Sequence, residues 1–376
     1  MKNMSPHSPH ILISGGGTGG HIFPAIAIAN ALKERLEHAE FMFIGAKGRM
    51  EMEKVPLAGY PIKGIWISGF QRKLTLRNLM FPVKLVSSLC TVSRIISGFR
   101  PDLAIGTGGY ASGPALKVST QRGIPALILE QNSFPGITNK LLARQVDLIC
   151  VAHQGMERFF PPEKIIFTGN PVRKDILDIS DKKAQALSFF GLDDSRKIVV
   201  VIGGSQGALS INNALAQLLP RLLESDLQII WQTGKGFYGQ AMQRVSELMA
   251  GSVSVHSFIE RMDLAYAAAD AVLSRAGAIA ISELCLVRKP AILVPLPHAA
   301  EDHQTKNALS LVDQQAALMI RDDQLMEQLV PKVVGLTGDK KAMNDLSQNI
   351  AKLGRPDAAD RIASEAIRLM NKPVKK

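Results

Sequence analysis

Three cysteines in 376 residues, Cys90, Cys150 and Cys285, are too few and too far apart for a disulfide framework or a CxxC metal site. Each stands among apolar neighbours, which predicts reduced core thiols. Long apolar runs are lacking too: Lys84 or Arg94 interrupts the longest stretches well before the ~20 residues of a membrane span, so a soluble or peripheral chain is expected. The segment from Met1 to His10 carries Pro, Ser and His in place of a charged region followed by an apolar stretch, which predicts no secretory signal. There is no low-complexity tract, and 46% apolar with 20% charged residues is the balance of a globular protein of about two domains. No Asp-x-Asp, no HExxH and no clustered His/Cys set occurs, so no protein-held metal and no other cofactor is expected. The Gly-x-Ser-x-Gly elbow of the usual hydrolases is missing as well.

A further absence is local. From Lys54 to Pro101 there is no Asp or Glu, while Lys54, Lys63, Arg72, Lys73, Arg77, Lys84, Arg94 and Arg100 supply most of the net charge of +11. Such an excess suits nucleic acid or anionic lipid. Here the cations alternate with Trp66, Phe70, Leu74, Leu76, Leu79, Met80 and Phe81, the mixture of a bilayer interface rather than of a base-stacking platform. The expected membrane face is therefore Phe70, Arg72, Lys73, Leu74, Arg77, Leu79, Phe81 and Lys84; anionic membrane lipids are expected partners and nucleic acid is not. Pro82 suits a first helical turn, and Val83, Val86, Leu89, Cys90 and Ile96 follow at helical spacing, some of them as core.

Strand and helix signals alternate: His10 to Ser14 reads as a strand, Ile22 to Leu36 as a helix, Glu40 to Ile44 as a strand. The unit recurs half a chain later, with a strand at Lys197 to Ile202, a glycine turn at Gly203 to Gly207 and a helix at Ala208 to Leu223. This rhythm predicts an α/β protein of two doubly wound, Rossmann-like domains facing a cleft, joined near Phe160 to Arg173, where Pro161, Pro162 and Pro171 suit a hinge. The boundary is set at 172/173, and a last helix is predicted at Ala358 to Met370.

Four glycine turns follow predicted strands: Gly15 to Gly20, Gly106 to Gly113, Gly203 to Gly207, and Ser274 to Ala278. Each places backbone amides at a helix start on the carboxyl edge of a sheet, where anions and hydroxyl-rich ligands are favoured. The first formally satisfies GxGxxG, but the next strand ends Ile44-Gly45-Ala46-Lys47 without the acid that a nicotinamide ribose needs. No turn carries the Gly-Lys-Ser/Thr of a P-loop.

At these residues the chain resembles the MurG family of bacterial glycosyltransferases, which add N-acetylglucosamine to lipid I to give lipid II for peptidoglycan. The segments that carry the resemblance are Gly-Gly-Thr-Gly-Gly-His at 16–21, Gly-Gly-Tyr-Ala-Ser-Gly-Pro at 108–114, Glu-Gln-Asn at 130–132 and Gly-Asn-Pro-Val-Arg at 169–173. They continue with Gly-Gly-Ser-Gln-Gly-Ala at 203–208, Arg-Ala-Gly-Ala at 275–278, Ser-Glu at 282–283 and Asp-His-Gln-Thr-Lys-Asn-Ala at 302–308. The resemblance implies a GT-B fold and an inverting N-acetylglucosaminyltransferase. Its acceptor and membrane domain would be 1–172, its donor domain 173–357, and its last helix, 358–376, would cross back. The implied partners are UDP-N-acetylglucosamine, undecaprenyl-linked lipid I and other cell-wall synthesis proteins; the implied location is the cytoplasmic face of the inner membrane, held peripherally.

By the same resemblance the donor contacts fall on Thr18, Gly19, Gly20, Asn132, Arg173, Ser205, Ile259, Ala278, Ile279, Ala280, Ile281, Ser282, Glu283 and Gln304, and the acceptor side on Gly17, Gly108, Gly109, Tyr110 and Ser112. Ser205 and nearby amides would hold the diphosphate, with Arg173 adding charge as UDP departs. Glu283 would accept from both vicinal ribose hydroxyls, Ile259 would offer backbone groups to the uracil edge, and Gln304 would meet sugar hydroxyls. His21 is the candidate to deprotonate or orient the acceptor hydroxyl, or else to orient a loop or diphosphate. The chain departs from the pattern at Leu129, where relatives often carry His before Glu-Gln-Asn, and at His303. A UDP-sugar 2-epimerase and a non-catalytic UDP-sugar-binding subunit are the competing readings.

Overall fold

A computed structural model describes residues 8–69, 80–204, 206–297, 299 and 302–372. The expected membrane-face residues Phe70, Arg72, Lys73, Leu74, Arg77 and Leu79, with Leu76, and the diphosphate candidate Ser205, lie outside the described residues. The chain divides into two units, one of Met1–Val172 with Asp357–Lys376, the other of Arg173–Pro356.

The first unit is built on β1 (His10–Ser14), β2 (Glu40–Ala46), β3 (Ile62–Ile65), β4 (Leu103–Gly106), β5 (Ala126–Glu130), β6 (Leu148–Val151) and β7 (Ile165–Phe167). They form a parallel sheet in the order β3-β2-β1-β4-β5-β6-β7. Alternate residues of each strand feed opposite faces, and both faces are covered, so the strands read as apolar throughout. Ile11, Ile13, Phe43 and Leu103 pack with Ile28 and Leu32 of the helix Gly19–Lys33 and with Ile362 and Ala366 of the helix Ala358–Met370. On the other face Leu12, Ile44, Ala104 and Ile128 meet Val92, Ile96 and Leu116.

The helix Phe81–Phe99 has Pro82 in its first turn and buries Ser88, Val92 and Ile96. Val83 and Val86 stand 52% and 60% exposed, so the stripe inferred from spacing is split: its later part is core and its start is a free apolar surface. Cys90 shares that exposure, which corrects the expectation of a core thiol there; Cys150 and Cys285 are buried, and burial pushes both thiols up to about 12. Among the described residues no helix is long and apolar enough to cross a membrane.

The second unit holds β8 (Lys197–Ile202), β9 (Leu227–Gln232), β10 (Val253–His256), β11 (Ala271–Arg275), β12 (Ala291–Val294) and β13 (Leu318–Met319). Its sheet is also parallel, in the order β10-β9-β8-β11-β12-β13. In each sheet the strand order reverses at the first strand, β1 or β8. Such a switch point opens a crevice at the carboxyl ends of the strands, and the glycine turns follow those strands.

Candidate active site

In the first unit the turns after β1 and β4 are locked against each other. Gly109, at a φ of 83°, sits where a Cβ would collide with the carbonyl oxygen of Gly16, so only glycine permits both the conformation and the approach. The Gly16 amide faces the Gly108 carbonyl at 3.4 Å. Ser112 is fully buried, its hydroxyl between the carbonyls of Ser14 at 2.7 Å and Gly108 at 2.8 Å. That places Ser112 beneath the acceptor-side turn as a tie rather than on its surface; Tyr110, 54% exposed, and Gly17 are on the surface.

Glu51 was not foreseen. Fully buried at the start of the helix Glu51–Leu57, its carboxylate accepts from the Gly17 amide at 3.0 Å and from the Ala46 amide at 2.9 Å, joining the turn after β1 to the end of β2. The Gly17 amide is thus already committed to an anion of the protein. A negative charge under this turn makes it a poor diphosphate cradle and a better seat for neutral hydroxyls. Thr18, exposed, precedes the helix at extended φ and ψ and makes no side-chain cap, and Gly19 and Gly20 begin it with amides that lack intrahelical acceptors.

His21 is placed by its ring. Nδ1 lies 2.8 Å from the carbonyl oxygen of Thr107, an acceptor only, so Nδ1 carries the proton and Nε2 the lone pair. Thr107 answers with its hydroxyl, which donates to the His21 carbonyl at 2.8 Å. At the end of β5, Glu130 is buried, and burial raises its pKa while four donors oppose that. These are the Asn132 amide and side chain, the Gly136 amide and the Asn139 side chain, at 2.8 to 3.2 Å. Glu130 therefore shapes the loop that presents Asn132, itself half-buried.

In the second unit the turn after β8 is held by Gln232, which sequence reasoning also missed. Its side chain donates to the Gly204 carbonyl at 3.0 Å and accepts from the Ile259 amide at 2.9 Å. Ile259 is 2% exposed, so its side chain is core and its N–H is taken; its carbonyl is the backbone group it can offer a uracil edge. The helix Leu209–Leu223 starts from this turn, and the Ser210 hydroxyl in its first turn donates to Asp322 at 2.7 Å.

The turn after β11 leads through Gly277 into the helix Ala278–Val287. Ala278, Ile279 and Ala280 are half-exposed, Ile281 is buried, and the Ser282 hydroxyl bonds the Ala278 carbonyl at 2.9 Å. Glu283 accepts from the Tyr266 hydroxyl at 2.9 Å. Burial raises its pKa, against the charge of Arg173 and the Tyr266 hydrogen bond. Arg173 also reaches the Glu260 carbonyl at 3.5 Å and Asp175 at 3.7 Å. The charge of Arg173 thus acts on Glu283, while Gln304 lies at the start of the helix His303–Val312. There its side-chain oxygen accepts from the Leu296 amide at 3.0 Å, so the NH2 is the group with hydrogen-bonding capacity left to offer.

Arg275 ends β11 buried, donating to Asp322 at 2.5 Å, to Ser210 at 2.6 Å and to the Val294 and Pro295 carbonyls at 3.3 and 3.1 Å. One guanidinium thus fixes the ends of β11 and β12 and the start of the helix after β8. Among the described residues no group of three or more His, Cys, Asp or Glu is arranged to hold a metal ion.

Two doubly wound units of this kind, with glycine turns at the carboxyl ends of parallel strands, are the architecture of the GT-B fold. The chain belongs to glycosyltransferase family 28 and, within it, to the MurG family: residues 11–151 match the Glycosyltransferase family 28 N-terminal domain and residues 198–362 the Glycosyltransferase family 28 C-terminal domain. It is 51% identical over 362 residues to the UDP-N-acetylglucosamine--N-acetylmuramyl-(pentapeptide) pyrophosphoryl-undecaprenol N-acetylglucosamine transferase of Parabacteroides distasonis, covering 96% of this chain and 98% of that one. The crystal structure of Acinetobacter baumannii MurG superposes with a TM-score of 0.74 at 27% identity, covering 96% of this chain and 99% of the other. A UDP-GlcNAc 2-epimerase from Neisseria meningitidis, bound to UDP-GlcNAc, shares the fold alone, at 14% identity and a TM-score of 0.66 over 96% of this chain and 100% of that one.

Proposed function

We propose that the chain transfers N-acetylglucosamine from UDP-N-acetylglucosamine to the C4 hydroxyl of the N-acetylmuramic acid of undecaprenyl-pyrophosphoryl-N-acetylmuramyl pentapeptide, with inversion at the anomeric carbon. The near-complete collinearity with the Parabacteroides distasonis transferase carries this reading. An epimerase shares only the fold, at far lower identity.

The reaction asks for a base, a leaving-group cradle and a donor clamp. His21 supplies the first: Nε2 takes the proton of the acceptor hydroxyl while its oxygen bonds to the anomeric carbon and the bond to UDP breaks with its electron pair. The negative charge gained by UDP meets the amides at the start of the helix Leu209–Leu223 and the Arg173 guanidinium, with no protein-held metal. Glu283 holds the ribose, and the Gln304 NH2 a sugar hydroxyl. Thr18, Gly19, Gly20 and Asn132 complete the donor contacts, and Gly17, Gly108, Gly109 and Tyr110 the acceptor side, with Ser112 acting through the turn it ties.

Location follows from the surface. Trp66, Met80, Val83 and Val86 are exposed apolar groups on and beside the start of the helix Phe81–Phe99, within the acid-free basic segment. They support peripheral docking on anionic lipid at the cytoplasmic face of the membrane, where the lipid-linked acceptor lies. Lys84 is turned partly aside, its ammonium bonded to Ser68 at 2.9 Å and set over the Trp66 ring at 5.6 Å. The direct test incubates radiolabelled UDP-N-acetylglucosamine with a lipid I analogue and scores lipid-linked disaccharide. Epimerised UDP-sugar, or binding without turnover, would overturn the reading in favour of its rivals.

A further inference from the structure

Tyr266 lies on the helix Met262–Ala268, every residue of which is buried. The phenol is 1% exposed, among the largest fully buried side chains of the molecule. A hole of this shape would take phenylalanine equally well, and a buried hydroxyl costs stability unless it is hydrogen-bonded. Its partner is not a backbone carbonyl of the core but Oε2 of Glu283, at 2.9 Å. Among the described residues Tyr266 is the sole hydrogen-bond donor to this carboxylate.

The helix that delivers the phenol is itself pinned. Asp263, beside its start, accepts from Arg261 at 2.8 and 2.9 Å and from Lys182 at 3.0 Å, and the Arg261 hydrogen bond holds its carboxyl well below the usual carboxylate range. Burial, then the charge of Glu283, keeps the Tyr266 phenol far above its ordinary pKa, so it remains a donor at any pH at which the protein works. The terminal torsion of a glutamate is broad when nothing holds it. Here one oxygen is tied down by a rigid aromatic lever, which leaves Oε1 and the second lone pair of Oε2 to meet a ligand.

We propose that Tyr266 is a positioning residue that aims the Glu283 carboxylate so that the donor site reads the 2′-hydroxyl of the nucleotide ribose and discriminates against deoxyribonucleotides. With Oε2 engaged, vicinal hydroxyls must both address Oε1 and the outer lone pair of Oε2, a geometry that a single 3′-hydroxyl satisfies only in part. Without the phenol the charge of Arg173 still draws the carboxylate, but no hydrogen bond fixes its rotation, and it accommodates either sugar. This inference rests on the assignment of Glu283 to the ribose.

The test uses the full-length protein and calorimetric affinities for UDP and 2′-deoxy-UDP in wild type, Tyr266→Phe, Glu283→Gln and the double variant. Tyr266→Phe removes one oxygen and keeps the packing, and an unchanged thermal midpoint checks that it folds. The expected result is a roughly 10-fold loss of UDP affinity with less than about 2-fold change for 2′-deoxy-UDP, and no further loss when Tyr266→Phe is added to Glu283→Gln. Equal losses for the two nucleotides, or additive losses in the double variant, would make Tyr266 a structural residue only. Wild-type UDP affinity in Tyr266→Phe alongside a loss in Glu283→Gln would overturn the positioning role and leave the ribose assignment standing. Wild-type affinity in both would remove the ribose assignment itself.

Discussion

The His21 imidazole and the Gln131 side-chain amide donate to one and the same atom, the carbonyl oxygen of Thr107, at 2.8 and 2.5 Å. Both lone pairs of that carbonyl are thereby used, and the ring is held with its proton on Nδ1 and its basic nitrogen opposite. The Gln131 bond steadies the carbonyl, and the carbonyl in turn sets the tautomer of the ring.

Replacing His21 with alanine is therefore expected to lower the transfer rate by about 10²-fold or more at saturating donor, with UDP affinity little changed. Single-turnover kinetics and calorimetry separate the two. A loss confined to UDP affinity would assign the ring to the diphosphate, and a rate near wild type would remove it from the reaction.

Glu51 should prove structural in a measurable way. Glu51→Ala leaves the exposed Gly17 amide to water and the buried Ala46 amide without a partner, and is expected to cost about 1 to 3 kcal/mol for the latter. Glu51→Gln keeps one acceptor and should lose less. Urea unfolding of both variants would show it, and equal midpoints across the series would mean that water replaces the carboxylate at no cost.

His153, just past β6, is half-buried, and desolvation lowers its pKa from 6.5 to about 4, with a hydrogen bond to the Gln131 backbone working the other way. The folded protein thus binds a proton later than the unfolded chain does. Stability from this group is complete above pH 6.5 and is lost as pH falls through the window down to about 4, by at most about 3 kcal/mol. A His153→Asn variant should show a flatter thermal midpoint between pH 7 and 4.5 than wild type. Parallel profiles would place the acid sensitivity elsewhere.

The exposed start of the helix Phe81–Phe99 offers a membrane test that spares the core. Val83→Asp with Val86→Asp puts two charges where apolar groups would insert, and should reduce co-sedimentation with anionic liposomes several-fold while leaving the unfolding free energy within about 1 kcal/mol of wild type. Undiminished sedimentation that still falls at high salt would assign attachment to the basic groups alone, each contributing about 1 kcal/mol.

Much of the frame was legible because parallel strands buried on both faces leave unbroken apolar runs: β1 and β8 fall where the Val, Ile and Leu runs place them. The helix ends were less so. The first helix begins at Gly19 rather than Ile22, because glycines and Pro24 hide a helical start from propensity. The glycine turns themselves could be read from the sequence, since only glycine allows an approach such as that of Gly109 to Gly16, whereas the candidate contacts on them came from the family resemblance. Glu51, Gln232 and Tyr266 could not be so read. Each is a polar residue whose partners lie 17 or more positions away in one bond at least, and a buried acid or amide looks in sequence like a solvated one. The exposure of Cys90 was hidden for the converse reason: apolar neighbours along a helix need not share its face.

The helix Ala358–Met370 belongs to the first unit, although the chain reaches it only after the whole of the second. Ile362, Ala363 and Ala366 are fully buried there, and Leu369 nearly so, against residues such as Ile28 and Leu32. An Ile or Leu buried in this way contributes ~1.5–3 kcal/mol, so the missing helix would leave several kcal/mol unrealised. On the ribosome the order of completion is thus inverted: the unit made first must wait with an open apolar face while the unit made second can close at once. That interval is when a nascent-chain chaperone has most to shield.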